Sequence, residues 1–410
     1  MPHLHLPPLA RFGCAAFAAL ACSLPLRAQS VDQPAPPAAL AGGKLTLNAR
    51  LRWEYADQSN LRESDAFTLR TRLGFTTAPA SGWQAMLEAE NISVLGSPDN
   101  YNASGTNPGG AGRTVVADPP ATDINQAWLA YSGWDSTLRG GRQRLVLDNA
   151  RFVGDSGWRQ NMQTFDAATL TSRPAKDFSL LYGYVWHVSR VFGDKPGQPD
   201  FKSRSHLINV AYSGWAAGKL TGYAYLLDFA NSAANSSATY GASFAGGTRL
   251  GHDFKLTYRA EYARQQDAAN NPVRYTADYY DAELGGSVAP FDFGLGYEVL
   301  GSDRGLKGFA TPLATLHAFD GWADLFLATP ARGLRDAYAS IGFSRGFPLK
   351  IVYHEFRSDV GDLDYGREWD AQLSHKFGRA WTGLVKAAHY DGKPPFFDTD
   401  KLWLQTEFDF

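Results

Sequence analysis

From residue 44 onward the chain alternates apolar and polar positions in runs of about ten residues, and the runs are separated by Gly-, Asn-, Asp- and Pro-rich breaks. In the first run Leu45, Leu47, Ala49, Leu51, Trp53 and Tyr55 take one face, and Thr46, Asn48, Arg50, Arg52 and Glu54 take the other. The second, near residues 67–76, sets Phe67, Leu69, Leu73 and Phe75 against Thr68, Arg70 and Arg72. The third turns Gln84, Met86, Glu88 and Glu90 inward. The last ten residues repeat the pattern: Leu402, Leu404, Thr406, Phe408 and Phe410 alternate with Trp403, Gln405, Glu407 and Asp409. One face suits lipid and the other water. A strand in hydrocarbon cannot keep an open edge, because each unpaired backbone group there costs several kcal/mol. The last strand must therefore pair, and the simplest partner is the first.

The breaks are of two alternating kinds. Short ones fall near residues 79–82, 132–134, 173–174, 213–218, 246–251, 289–290, 346–348 and 378–379. Longer ones fall near 56–65, 91–122, 146–161, 189–202, 230–237, 266–274, 301–332, 358–365 and 391–399. This asymmetry predicts an all-β fold: a single transmembrane antiparallel β-barrel of about 18 strands, with short periplasmic turns and long extracellular loops. A soluble sandwich or jelly roll explains the alternation but not the two-sided loop lengths.

The N-terminus fits that destination. Arg11 precedes an apolar run over residues 12–26, and Leu26-Arg27-Ala28 is an acceptable cleavage site, so residues 1–28 read as a signal peptide. Residues 29–43, rich in Pro and Ala, read as a periplasmic leader, and 44–410 as the barrel. Both cysteines, Cys14 and Cys22, fall in the signal, which leaves a mature chain without disulfide or thiol chemistry. A mean hydropathy of −0.30 is that of alternating strands, of which only half meets lipid. The 19 Tyr, 11 Trp and 25 Phe can supply aromatic girdles at the two membrane interfaces. Without the signal, 37 of the 39 Lys and Arg remain against 41 Asp and Glu. Any preference for anions must then come from where charges sit, and nothing points to nucleic acid.

The inward faces carry such placement. With Arg52 opposite Arg70, Arg50 falls opposite Arg72, and across the next turn Arg72 meets Glu88 and Arg70 meets Glu90. Arg50 and Arg52 are left in excess unless Glu407 or Glu54 answers them. Either this is a self-satisfied ladder bracing a wet wall, or it is a positive rail for an anionic solute. Residues 141–166 are the densest polar stretch: Arg142, Arg144, Arg151 and Arg159 alternate with Asp148, Asp155, Gln160 and Asn161. A loop so loaded is placed to fold inward as a constriction, or to stand outside with its ion pairs solvated. Residues 309–324 are apolar without alternation and include Pro312; they read as a segment packed in the barrel or its mouth, or as a loop with one helical turn.

Several stretches bear a family likeness. Gly141-Arg142-Gln143-Arg144 with the Asp-rich, Trp-containing loop behind it, Asn125-Gln126-Ala127-Trp128-Leu129 before it, Gly301-Ser302-Asp303, and residues 309–324 resemble the alginate-export porin family of bacterial outer membranes. The likeness runs through most of 44–410. It implies an 18-stranded monomeric barrel with an electropositive constriction, to which Arg142, Arg144, Arg151 and Arg159 correspond, and an anionic polysaccharide or oligosaccharide as the solute.

The leading expectation is an outer-membrane channel for alginate-like anionic saccharides, with Arg50, Arg52, Arg70, Arg72, Arg142, Arg144, Arg151 and Arg159 lining it and Glu88, Glu90 and Glu407 as counter-charges. The alternative is a general or anion-selective diffusion porin; a barrel enzyme ranks lower, since no nucleophile and base stand out together. Expected partners are outer-membrane lipid and lipopolysaccharide, the saccharide, and the barrel-assembly machinery through the strand ending in Phe410. No cofactor is expected. Asp359, Asp362 and Asp364 are a weak calcium candidate without the spacing of a defined calcium loop. His187, His206, His252, His317, His354, His375 and His389 are scattered without a two-His metal spacing, as lone girdle or lumen histidines are.

Overall fold

The structure, a computed structural model, describes residues 38–410 except Pro196 and His252. The signal segment, both cysteines, most of the 29–43 leader and His252 lie outside the described residues. After a one-turn helix (Ala38–Ala41), eighteen strands follow. They are β1 (Lys44–Gln58), β2 (Ser64–Thr76), β3 (Trp83–Val94), β4 (Ala121–Gly133), β5 (Ser136–Gln143) and β6 (Thr164–Ser172). Next come β7 (Phe178–Ser189), β8 (Phe201–Trp215), β9 (Gly218–Leu227), β10 (Ser237–Leu250), β11 (Phe254–Asp267) and β12 (Thr276–Val288). The last six are β13 (Phe291–Leu300), β14 (Leu334–Phe343), β15 (Leu349–Arg357), β16 (Asp364–Phe377), β17 (Trp381–Gly392) and β18 (Thr399–Asp409).

Each strand pairs antiparallel with its sequence neighbours, and β18 pairs with β1, with Trp53 opposite Leu404 and Arg50 opposite Glu407. The sheet is closed and has no edge, so hydrocarbon meets no row of free backbone groups. The expected lipid face is the outer one: Leu45, Leu73, Leu87, Leu129, Leu138 and Leu295 are exposed there. Aromatic pairs lie near one end of the strands, with ring centroids at 5.0 Å for Trp83–Tyr131 and 5.1 Å for Trp381–Phe408.

The first hairpins keep the expected faces but not the expected register. Arg50 lies opposite Arg70 and Arg52 opposite Thr68; across the next turn Arg72 meets Glu90, and Glu88 falls opposite Gly74. A slip of two residues leaves every side chain on its own face, so alternation cannot detect it. β1 extends to Gln58, beyond the break expected at 56, and that sets the register.

The interior departs further from expectation. The largest buried apolar cluster lies inside the barrel and includes Val153, Phe165, Phe229, Tyr279, Phe309, Leu313, Phe326, Phe356 and Trp403. It forms because residues 144–163, after β5, and 301–333, after β13, fold into the lumen. Val153 and Leu313 make a parallel bridge, and the Gly154 N–H donates to the Leu313 carbonyl at 2.8 Å. The Gln163 amide donates to the Gly154 and Leu313 carbonyls at 2.8 and 2.9 Å and ties the two segments together. Gly154 is needed at this crossing: a Cβ there would run into the Thr315 side chain. Residues 309–324 combine both readings given above, since they pack inside and contain one 3-10 turn (Leu316–Ala318).

Candidate functional site

Two charged walls face the inward segments. The basic wall is built by four adjacent strands, β17, β18, β1 and β2, which turn Lys386, Lys401, Arg50, Arg52, Arg70 and Arg72 inward. Three of its guanidinia bind carbonyl oxygens of the 144–163 loop. Arg50 donates to Gly157 at 3.0 Å and Trp158 at 3.1 Å, Arg52 to Trp158 at 2.6 Å, and Arg72 to Gln160 at 3.3 Å. Their other nitrogens are held by side chains: Arg50 Nε meets Glu407 at 3.0 Å, Arg52 Nε meets Gln405 at 3.0 Å and its Nη1 meets Asp118, of the connection between β3 and β4, at 3.4 Å, and Arg72 Nε meets Glu90. Arg70 donates to Glu407 at 2.9 Å and Asn48 at 2.5 Å, while its Nε and Nη1 are buried without a partner. Glu407 therefore answers Arg50, as one of the expected alternatives required, and also answers Arg70 in place of Glu90.

The acidic wall acts on backbone of the opposite polarity. Glu368 and Asp370, both on β16, accept the N–H groups of Ala323 at 2.7 Å and Trp322 at 3.2 Å. Gly321, with φ of +82°, sits so close to the Glu368 carboxylate that a side chain would not fit. Further round, Arg151 from the first inward loop donates to Glu298 on β13 at 2.7 Å and to Asp320 of the second loop at 2.9 Å. Guanidinium hydrogens thus face carbonyls and carboxylates face amides, so each wall satisfies loop backbone that water satisfies elsewhere.

At the centre the two loops meet the basic wall through one buried chain. Lys386 lies 2.7 Å from His317 Nε2, and His317 Nδ1 donates to Asp324 at 2.7 Å. Asp324 also takes Lys401 at 3.0 Å and Arg159. Trp158 stacks on His317 with centroids 4.6 Å apart, and Arg52 and Lys386 lie over its ring at 4.1 and 4.2 Å. Burial, helped by the neighbouring Lys386 and Arg159 charges, holds the His317 imidazole well below its ordinary range, so it is neutral and carries its proton on Nδ1. Burial works against the Asp324 carboxylate, but His317, Lys401 and Arg159 together outweigh it and hold the group well below its ordinary range.

The expected pore residues divide accordingly. Arg50, Arg52, Arg70 and Arg72 stand together on one wall; Arg151 and Arg159 are buried in the loop, Arg159 against Glu54 at 3.4 Å and Arg151 on the acidic side. Arg144 is exposed and paired with Asp155. Arg142 does not join the wall. β5 is the shortest strand and leaves the sheet after Gln143, and the Arg142 guanidinium braces the place: it donates to Asp166 on β6 at 2.7 Å and to the Ile124 carbonyl on β4 at 3.1 Å. Among the described residues Glu88 pairs with no arginine; it accepts from Asn125 at 2.6 Å and Gln126 at 3.1 Å.

The three aspartates of the calcium candidate are engaged separately. Asp359 accepts from the Ser302 N–H at 2.9 Å, Asp362 pairs with Arg335 at 2.6 Å, and Asp364 accepts from the Gly366 N–H at 2.9 Å. Among the described residues no three His, Cys, Asp or Glu side chains group as metal ligands. Of the girdle and lumen positions expected for the histidines, His317 and His354 take the interior one and are buried there, His354 donating to Asp336 at 2.8 Å.

Sequence reasoning missed Lys386, Lys401, His317, Asp324, Glu298 and Glu368. The absent alternation over 309–324 was the available signal for the second loop. Lys401 and Trp403 on one face of the last strand were a signal for its landing place.

Residues 44–181 match the family model described as alginate export. Solved structures share the fold at low identity. OccK9 (OpdG) of Pseudomonas aeruginosa is 13% identical, with 91% of this chain and 100% of that chain covered and a TM-score of 0.73. OccAB2 of Acinetobacter baumannii is 15% identical over 92% and 99%, with a TM-score of 0.73. OpdK of Pseudomonas aeruginosa, solved with vanillate, is 14% identical over 90% and 99%, with a TM-score of 0.70. No curated protein matches the chain. The chain is a bacterial outer-membrane β-barrel of eighteen strands, and its residues 44–181 match the alginate export family model.

Proposed function

We propose that this barrel passes anionic saccharides of the uronate type along the wall formed by Arg50, Arg52, Arg70 and Arg72. The observation that carries the reading is what those guanidinia hold. Three of them bind neutral carbonyls of residues 157–160, and Arg70 keeps two N–H nitrogens unpartnered. A guanidinium binds a carboxylate about twice as strongly as a neutral acceptor, and in bidentate geometry. A uronate carboxylate can therefore take the place of the loop carbonyls, so solute entry and withdrawal of the 144–163 loop are one exchange. Direction follows from the gradient, as in any passive pore.

The second reading is a porin for small carboxylates. It is favoured by the two inward loops, which leave less lumen for a polymer, and by the likeness to OpdK, solved with vanillate.

The test is the reversal potential of the refolded protein in a planar bilayer under a KCl gradient, with mono- and oligouronates added. Anion preference with block that strengthens with chain length supports the saccharide reading, and block by monomers alone supports the second. Arg50→Ala with Arg52→Ala should move the reversal potential toward zero, whereas Arg142→Ala, whose cation is paired with Asp166 away from that wall, should leave it near wild type. An unchanged reversal potential in the double variant removes both anion readings.

A further inference from the structure

One inward arginine stands apart from the basic wall. Arg139 lies on β5 opposite Ala130 of β4 and Thr169 of β6. Gln143 of the same strand is opposite Phe165 of the interior cluster, so Arg139, four residues away, shares the inner face. Arg139 comes three residues after Ser136, where the short turn from β4 ends, whereas the 144–163 loop leaves the wall only after Gln143. It therefore stands on the periplasmic side of the point where that loop enters the lumen.

Its setting holds a cation in place without neutralising it. The guanidinium carbon lies 4.2 Å from the centroid of the Trp128 ring on β4, and both residues are half-buried. Trp128 is opposite Gly141, which has no side chain and leaves the indole room to lie across β5. Among the described residues no carboxylate pairs with Arg139. Its Nε is closed in without a hydrogen-bond partner, so the edge left to the lumen is that of the two Nη nitrogens. Arg50, Arg52 and Arg72, by contrast, give hydrogens to the docked loop. Arg249, Lys255 and Lys350 also turn inward near short turns, but they are exposed and lie over no ring among the described residues.

We propose that Arg139, held flat on Trp128, is a carboxylate-binding subsite on the periplasmic side of the inward loops, which an acidic saccharide meets while the loop is still docked. A guanidinium stacked on an aromatic face keeps its plane and its fork of N–H groups, which match a carboxylate. A half-buried cation without a counter-charge is also screened less than an exposed one. Thr137 and Thr171, opposite each other on the same face, bring hydroxyls beside it for those of a sugar ring. The subsite rests on the uronate reading above and adds to it a place of first contact outside the loop exchange.

The test is single-channel block by an oligogalacturonate added to one chamber at a time, with the protein inserted in a known orientation. Arg139→Gln breaks no ion pair, so assembly should be intact. It should slow block from the periplasmic chamber about tenfold or more and leave the rate from the extracellular chamber near wild type. Arg139→Lys should restore the reversal potential but not the block, because a lysine keeps the charge without the stacked fork. A neutral maltooligosaccharide of the same length should act alike on wild type and Arg139→Gln. Unchanged periplasmic block in Arg139→Gln, or full recovery of block in Arg139→Lys, overturns the proposal. Block lost in Arg50→Ala with Arg52→Ala but kept in Arg139→Gln removes this subsite alone, and the reverse pattern removes the wall reading and keeps the subsite. Absence of block in the wild type removes both.

Discussion

Replacing Asp324 by Asn isolates what holds the lumen segments in place. The carboxylate is buried and collects Lys401 at 3.0 Å, His317 at 2.7 Å and Arg159. The amide keeps the shape and removes the charge. Arg159 retains Glu54 at 3.4 Å, but Lys401 is left without a counter-charge among the described residues. Removing one partner of a buried ion pair costs about 3–5 kcal/mol, most of it the penalty of the stranded cation. None of this falls on barrel closure, which is a backbone ladder around eighteen strands. The loss should therefore appear as loop opening, by a factor of about 10² to several times 10³ at 1.4 kcal/mol per decade. Amide hydrogen exchange in the refolded protein reads it directly. The Gly154 amide, bonded to Leu313, and the Ala323 amide, bonded to Glu368, should lose protection by that factor, while ladder amides between β1 and β18 keep theirs. In a bilayer the variant should show larger and more frequent conductance fluctuations. Protection at Gly154 and Ala323 within threefold of wild type would refute the assignment of Asp324 as the anchor.

Loop docking should weaken in mild acid. His317 is held below its ordinary value, so the docked loop stays neutral where the released loop takes up a proton. Docking is at full strength above about pH 6.5 and loses up to ~1.4 kcal/mol per pH unit below it, until the docked imidazole itself titrates. Asp324, held low, acts in the same direction in a lower window, from about pH 4 downward. Exchange at Ala323 across pH 7 to 5 should show this slope, and His317→Gln should remove the upper window. Gly154→Ala should separate the two inward segments by forcing the Thr315 side chain aside, at a cost of about 1–3 kcal/mol. That would be read as faster exchange at Gln163 and Thr315 with unchanged barrel assembly, and unaltered exchange would contradict the close approach.

The alternation of apolar and polar residues determined the barrel by itself. Leu45 to Tyr55 on one face and Leu402 to Phe410 on another can be buried in lipid only as strands, and strands in lipid must close. The alternating lengths of the breaks gave the strand count, because each long connection and each short turn has its own composition. The same period of two concealed the register. Arg50 opposite Arg70 and Arg50 opposite Arg72 put every side chain on the same face, and only the turn after Gln58 chose between them. The interior was concealed for a different reason. An inward residue reads as polar when it faces water and as apolar when it faces another segment, and nothing local says which. Phe165, Phe356 and Trp403 occupy inward positions because segments 144–163 and 301–333, distant in sequence, arrive to cover them. The arginines changed role for the same reason. Arg50, Arg52 and Arg72 are legible as an inward positive row, but that they grip the carbonyls of residues 157–160 depends on a loop some hundred residues away. Local periodicity specifies which face of a strand meets which solvent; only the tertiary fold decides what the solvent in the lumen is.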